Sequence, residues 1–216
     1  MPSGEPARLE AVTIPGPAGP LEGLLRSRSD PAGAAVVAHP HPLHGGTMHT
    51  KVVHAAARLL SDRFGLAALR FNFRSVGASA GHYTGGPGET EDLVAAARWL
   101  RKRVPDGPFV LGGFSFGSVC ALHASADLAP DLLFLIGVPV GRLPVLPSVP
   151  HGTKVFWIQG ELDEYSPAEK ARALAGARLQ GFSAVPGADH FFTGRLGAFE
   201  ADAERGLAAA LDGGES

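Results

Sequence analysis

Short apolar runs alternate along this chain with longer stretches of helical periodicity, and that alternation sets the expected fold. Arg8–Ile14 and Leu21–Arg28 read as two strands, joined by Pro15-Gly16-Pro17-Ala18-Gly19-Pro20, a segment so rich in proline and glycine that it reads as a turn. The pattern then changes. Ala34–Ala38 is a short continuous apolar strand, Lys51–Phe64 a helix, Leu66–Phe73 a strand, and Glu91–Arg103 a helix. Phe109–Gly113 follows as a strand, Ser115–Asp127 as a helix, and Leu132–Val138 and Val155–Gln159 as strands. Pro167–Ala175 (helix), Arg178–Val185 (strand) and Leu196–Leu211 (helix) complete the chain. Strands this short and uniformly apolar are buried on both faces. The expected fold is therefore α/β: a mostly parallel, doubly wound sheet with helices on both faces and an antiparallel start at the N-terminus. In such sheets ligands bind beyond the carboxyl ends of the strands.

Composition narrows the possibilities. With 216 residues, 45% of them hydrophobic, the chain suits one domain around a substantial core, with tails expected to be disordered over 1–6 and 213–216. A formal net charge of −2, with Lys and Arg scattered, offers no footprint for nucleic acid or an anionic membrane, and no apolar run reaches the roughly 18 residues that span a bilayer. A single cysteine, Cys120, excludes an internal disulfide and is expected to be a small buried packing group. With no signal-peptide pattern in the first thirty residues, the expected location is cytoplasmic.

The string Gly-x-Ser-x-Gly occurs twice, at Gly77–Gly81 and at Gly113–Gly117. Only the second lies between a strand and a helix, the context of a nucleophile elbow, so Ser115 is the candidate nucleophile. Ser79 is followed by His82-Tyr83-Thr84-Gly85-Gly86-Pro87-Gly88, which reads as a loop. Of nine histidines only His190 follows the last expected strand, which makes it the candidate base. His123, eight residues along a helix from Ser115, would lie about 12 Å away and is expected to be buried structure. The acid chosen is Asp163, in the loop after Val155–Gln159, with Glu161 and Glu164 as competitors whose ordinary role would be solvated charge. Asp189 adjoins His190 too closely to reach its Nδ1.

Five histidines fall within residues 39–54: His39, His41, His44, His49 and His54. A zinc site needs three or four converging ligands, and neither paired cysteines nor a His-Glu-x-x-His string is present, so no metal or other cofactor is expected. The stronger reading is an oxyanion loop, which supplies one backbone donor while the residue after the nucleophile, Phe116, supplies the other. Pro40 and Pro42 lack an N–H, so the loop donor is His41 or Leu43, and His41 is preferred. His39 would brace the loop, while His44, His49 and His54 would lie at the surface.

Taken together, these segments resemble the α/β-hydrolase superfamily, and more closely the small lidless hydrolases related to dienelactone hydrolase, which carry a His-Pro-His-Pro-x-x-Gly-Gly-Thr-Met loop. The matching segments are His39–Met48, Arg70–Gly77, Gly113–Gly117, Gly160–Pro167 and Gly187–Phe192. The resemblance implies a Ser115, Asp163, His190 triad, an oxyanion hole from His41 and Phe116, and a structural role for Arg74. Dienelactone hydrolase itself uses cysteine where this chain has Ser115, so its substrate does not carry over. The implied activity is hydrolysis of small carboxylic esters through an acyl-enzyme. A thioesterase or lactone hydrolase with the same triad, or a binding module on the same fold, are the alternatives. Only Pro139–Thr153 separates Val138 from the next expected strand, too few residues for a lid. The pocket should therefore be open, with Leu143–Pro147 as a rim and Leu43, Met48, Phe114, Phe116, Tyr165, Phe191 and Phe192 at its edge. Several of these aromatics could equally belong to the core.

Overall fold

The computed structural model describes residues 5–142, 147–175 and 179–212. Its elements, in order, are β1 (Arg8–Gly16), β2 (Gly19–Ser27), β3 (Ala34–Ala38), α1 (Lys51–Phe64), β4 (Ala67–Phe71), α2 (Pro87–Arg103) and β5 (Phe109–Phe114). They continue with α3 (Phe116–Leu128), β6 (Leu132–Ile136), β7 (Lys154–Gly160), α4 (Ala168–Ala175), β8 (Gly181–Val185) and α5 (Leu196–Asp212). The strands form one sheet in the order β1-β2-β4-β3-β5-β6-β7-β8. β2 runs antiparallel to both neighbours, and every pairing from β4 to β8 is parallel. This is the α/β-hydrolase architecture.

Alternate residues of the central strands feed two apolar layers. Val36, Leu69, Leu111, Leu133 and Trp157 point to the layer shared with Leu93 and Leu100 of α2 and Ala121 of α3. Val37, Ala68, Val110, Phe134 and Phe156 point to the opposite layer, with Val53 and Leu60 of α1 and Phe199 and Leu207 of α5. From β3 the chain winds first to β4 on one side and then returns to β5 on the other. The switch point therefore lies between the carboxyl ends of β3 and β5, where a crevice is expected. The loops carrying His39–Met48 and Ser115 both start there.

Several boundaries differ from the sequence expectation, each for a local reason. The β1–β2 ladder runs on through Pro15↔Pro20 to Gly16↔Gly19, leaving only Pro17-Ala18 as the turn, because Pro15 lies on the edge strand β1 and Pro20 lies on β2 before its pairing with β4 begins at Gly23. β4 begins after Leu66, whose amide closes α1 by donating to the Leu60 carbonyl. It stops before Phe73, whose amide goes to the His39 ring. α2 begins at Pro87 rather than Glu91: proline suits the first helical position, and Glu89 at the third reaches back to accept from the Gly86 amide at 2.7 Å. β8 begins at Gly181; Arg178, the expected start, lies outside the described residues. Most of the expected tails also lie outside them, although Glu5 is described and accepts from Arg8 and Ser29. Arg74 is structural, as its resemblance implied. Its guanidinium grips the fully buried Asp92 at 3.0 and 2.8 Å, tying the loop after β4 to α2. Among the described residues no helix is long and apolar enough to cross a membrane.

Candidate active site

Ser115 occupies the sharp turn between β5 and α3 with φ 54° and ψ −117°, a strained conformation for a side chain with a Cβ. Its neighbours permit the turn. A Cβ on Gly113 would sit 2.2 Å from the Gly117 carbonyl oxygen, and one on Gly117 would sit 2.5 Å from that of Ala38. Only bare backbone lets α3 start this close to both β5 and β3. Ser79, in the other Gly-x-Ser-x-Gly string, is buried; its hydroxyl donates to the Asn72 carbonyl and accepts from the Glu22 amide, pinning a loop.

From β7 and β8, at the same edge of the sheet, come the other two groups. His190 Nε2 lies 2.9 Å from Ser115 Oγ, and His190 Nδ1 lies 2.7 Å from Asp163 Oδ2. Asp163 and His190 are almost completely buried. An ionised carboxylate can only accept, so Nδ1 carries the ring proton and Nε2 is left to accept from the serine hydroxyl. Asp163 is further held by the amides of Tyr165 (2.9 Å) and Ser166 (3.0 Å) on Oδ1, and by Gln159 Nε2 (2.6 Å) on Oδ2. Glu161 and Glu164 are not idle loop charges. Glu161 accepts from the Gly187 amide at 2.7 Å and Glu164 from that of His190 at 3.4 Å, stapling the acid loop to the histidine loop. Asp189 faces away and accepts from the Thr193 amide, which holds its carboxyl below the ordinary range. His123 is exposed on α3 rather than buried.

The loop after β3 is built around His39. Its ring is fully buried, with Nε2 accepting from the Phe73 amide at 3.1 Å and Nδ1 donating to the Pro40 carbonyl at 2.6 Å. Burial pushes its pKa down to about 4, so the neutral ring is the one that braces the loop. The Leu43 amide donates to His41 Nδ1 at 3.2 Å. The His41 ring lies 2.9 Å from the Tyr83 hydroxyl through Nε2, stacks on His44 and meets the Phe116 ring at 5.1 Å. Phe116 opens α3, where helix amides have no intrahelical acceptor. His44, His49 and His54 are exposed, and among the described residues no group of three or more His, Cys, Asp or Glu side chains is placed to hold a metal ion.

The expected rim needs correction. Met48 is 2% exposed and Phe114 fully buried, so neither faces a ligand. Met48 anchors the loop through its backbone, with its amide on Asn72 Oδ1 and its carbonyl on Arg70, while Phe114 lies beneath the His190 ring at 5.1 Å. Phe192 packs on Phe199 in the core. Of the expected rim, Leu43, Tyr165 and Phe191 are exposed, at 64%, 48% and 50%. Residues 143–146 of the expected Leu143–Pro147 rim lie outside the described residues. A separate groove of about 490 Å³, lined by Pro15, Thr90, Val94 and Arg98 among others, shares no residue with the constellation. Two participants were missed from sequence, Gln159 and Tyr83. A glutamine closing the apolar run Val155–Ile158 was the available signal for the first.

A sheet of this topology, with a strained serine at its switch point and an imidazole and carboxylate aligned behind it, defines an α/β hydrolase. No protein-family model matches the chain. It is 35% identical to an α/β serine hydrolase without lid from Xanthomonas campestris, with a TM-score of 0.83 over 96% of this chain and 97% of that one. An α/β serine hydrolase homologue from Coxiella burnetii is also 35% identical, with a TM-score of 0.81 over 92% and 97% of the two chains. An uncharacterized protein of Rickettsia prowazekii is 35% identical over 191 residues, covering 82% of this chain and 79% of that protein. The chain belongs to the lidless α/β serine hydrolases.

Proposed function

We propose that the protein is a serine esterase that cleaves small carboxylic esters through an acyl-enzyme. The observation that carries this reading is the continuous series Ser115 Oγ, His190 Nε2, His190 Nδ1, Asp163 Oδ2, with both separations at hydrogen-bond distance. His190 takes the Ser115 proton as Oγ bonds to the ester carbonyl carbon, and the carbonyl π pair moves onto oxygen. The amides of His41 and Phe116 receive that oxyanion. Collapse expels the alcohol, protonated by His190, and leaves the acyl group on Ser115. His190 then deprotonates a water that attacks the acyl carbon, and the carboxylic acid departs. Asp163 stays ionised throughout, holding the ring and compensating its transient positive charge. Leu43, Tyr165 and Phe191 line the substrate, and an open edge of exposed side chains favours short acyl groups.

The test is turnover of p-nitrophenyl esters by the wild type and by Ser115→Ala, with fluorophosphonate labelling in parallel. Wild type should be labelled and should cleave C2 to C4 esters faster than C12, and Ser115→Ala should lose label and at least about 10⁴-fold in kcat while remaining folded. Full activity in Ser115→Ala would remove the mechanism, and a preference for the longest chain would remove the assignment to small esters.

A further inference from the structure

The buried polar contacts continue behind Asp163. Gln159, the penultimate residue of β7, has no exposed surface, yet both ends of its amide are used: Oε1 accepts from Trp157 Nε1 at 2.8 Å, and Nε2 donates to Asp163 Oδ2 at 2.6 Å and to the Ser166 carbonyl at 3.0 Å. The indole N–H can only donate, so it must face the amide oxygen, and this turns the amide nitrogen toward the carboxylate. Trp157 is itself buried in the layer beneath α2 and α3 and cannot readily swing away.

We infer that Gln159, aimed by Trp157, is a positioning residue that sets both the orientation and the basicity of Asp163, and through it the proton affinity of the base. The inference rests on the triad reading above. Gln159 and His190 donate to the same carboxylate oxygen, one from the strand side and one from the histidine loop. A neutral donor on that oxygen spreads its charge and weakens its pull on the imidazolium. Removing the donor makes Asp163 more basic, favours the protonated ring and holds the base inactive to higher pH. It also frees the carboxylate to rotate, which misaligns the ring. The other charged and titratable groups around the pair are Glu164 on the His190 amide, Glu161 on the Gly187 amide, Asp189 on Thr193, Arg195 beside Gly187 and the Tyr165 ring at 4.8 Å. None of these shares Oδ2 in the contacts described above, so the effect belongs to Gln159.

The experiment compares wild type, Gln159→Leu and Trp157→Phe for kcat, KM and their pH dependence with p-nitrophenyl acetate. Gln159→Leu should lower kcat about tenfold with KM nearly unchanged and move the acid limb of kcat/KM upward by about half a unit. Trp157→Phe keeps an aromatic ring in the layer but removes the indole donor, so it should shift the limb in the same direction by less. This second variant decides the matter if Gln159→Leu fails to fold. An unmoved acid limb, with any loss traced to melting temperature or KM, would reduce Gln159 to packing and overturn the inference. If the wild type neither turns over esters nor takes a fluorophosphonate, the esterase reading fails, and NMR titration of the His190 ring decides the inference alone. A ring that titrates at higher pH in Gln159→Leu upholds it, and an unchanged titration overturns it.

Discussion

His39 shows how one side chain can couple the site to stability. The ring accepts one amide and donates to one carbonyl, an arrangement only the neutral form can make, and burial lowers its pKa to about 4 from an ordinary 6.5. The unfolded chain therefore takes up a proton on this histidine at a pH where the folded chain does not. Stability is complete above about 6.5 and is lost progressively down to about 4. The loss from this group alone is on the order of 3 kcal/mol. Urea unfolding at pH 7 and pH 4.5 should show this loss in the wild type and a clearly smaller one in His39→Gln; equal losses would place the proton elsewhere. Residue identity at this scale selected Ser115, Asp163 and His190, which the structure brings into one hydrogen-bonded series. It was a poor guide to exposure. Met48 and Phe114 looked like rim because they neighbour functional positions, but an apolar residue beside a site reads the same in sequence whether it faces the ligand or supports it from below.

At the scale of elements, legibility followed the strength of the local signal. β3 and α1 appear with the bounds their apolar patterns implied, and the alternation of strand and helix was enough to place the site at the carboxyl edge of a parallel sheet. The start of α2 was hidden because Gly85-Gly86-Pro87-Gly88 has the composition of a loop. Its real signal was proline at the first position and glutamate at the third, and glycine as the cap supplies no side chain to complete a reciprocal box. Glu89 does the work alone: fully buried, it accepts from the Thr84 amide, the Thr84 hydroxyl and the Gly86 amide at 2.9, 2.9 and 2.7 Å. Glu89→Ala leaves these donors without an acceptor and should cost about 3 kcal/mol in urea unfolding. Because Tyr83 and Thr84 are adjacent, it should also loosen the contact to His41. A variant as stable as wild type would show that the helix starts equally well without this carboxylate.

Across the whole molecule, the sheet joins two apolar layers and places the edge that carries Ser115, Asp163 and His190 where neither layer closes over it. Exposed ion pairs such as Arg58–Glu200 between α1 and α5 add little to this framework. The layers hold it, with Arg74–Asp92 tying one loop to its helix. Within the layer of α2 and α3 lies Cys120, one turn and a half along the helix that Ser115 begins, 1% exposed, with burial pushing its thiol up to about 12. It is the sole sulfhydryl of the chain, so each molecule carries one silent reporter of its own opening. A thiol-reactive dye at pH 8 should modify the denatured protein promptly and the native one at least about a thousandfold more slowly. The native rate would time how often α3 lifts from the sheet without any ligand present, and rapid modification would reveal a helix that breathes far more than its packing implies.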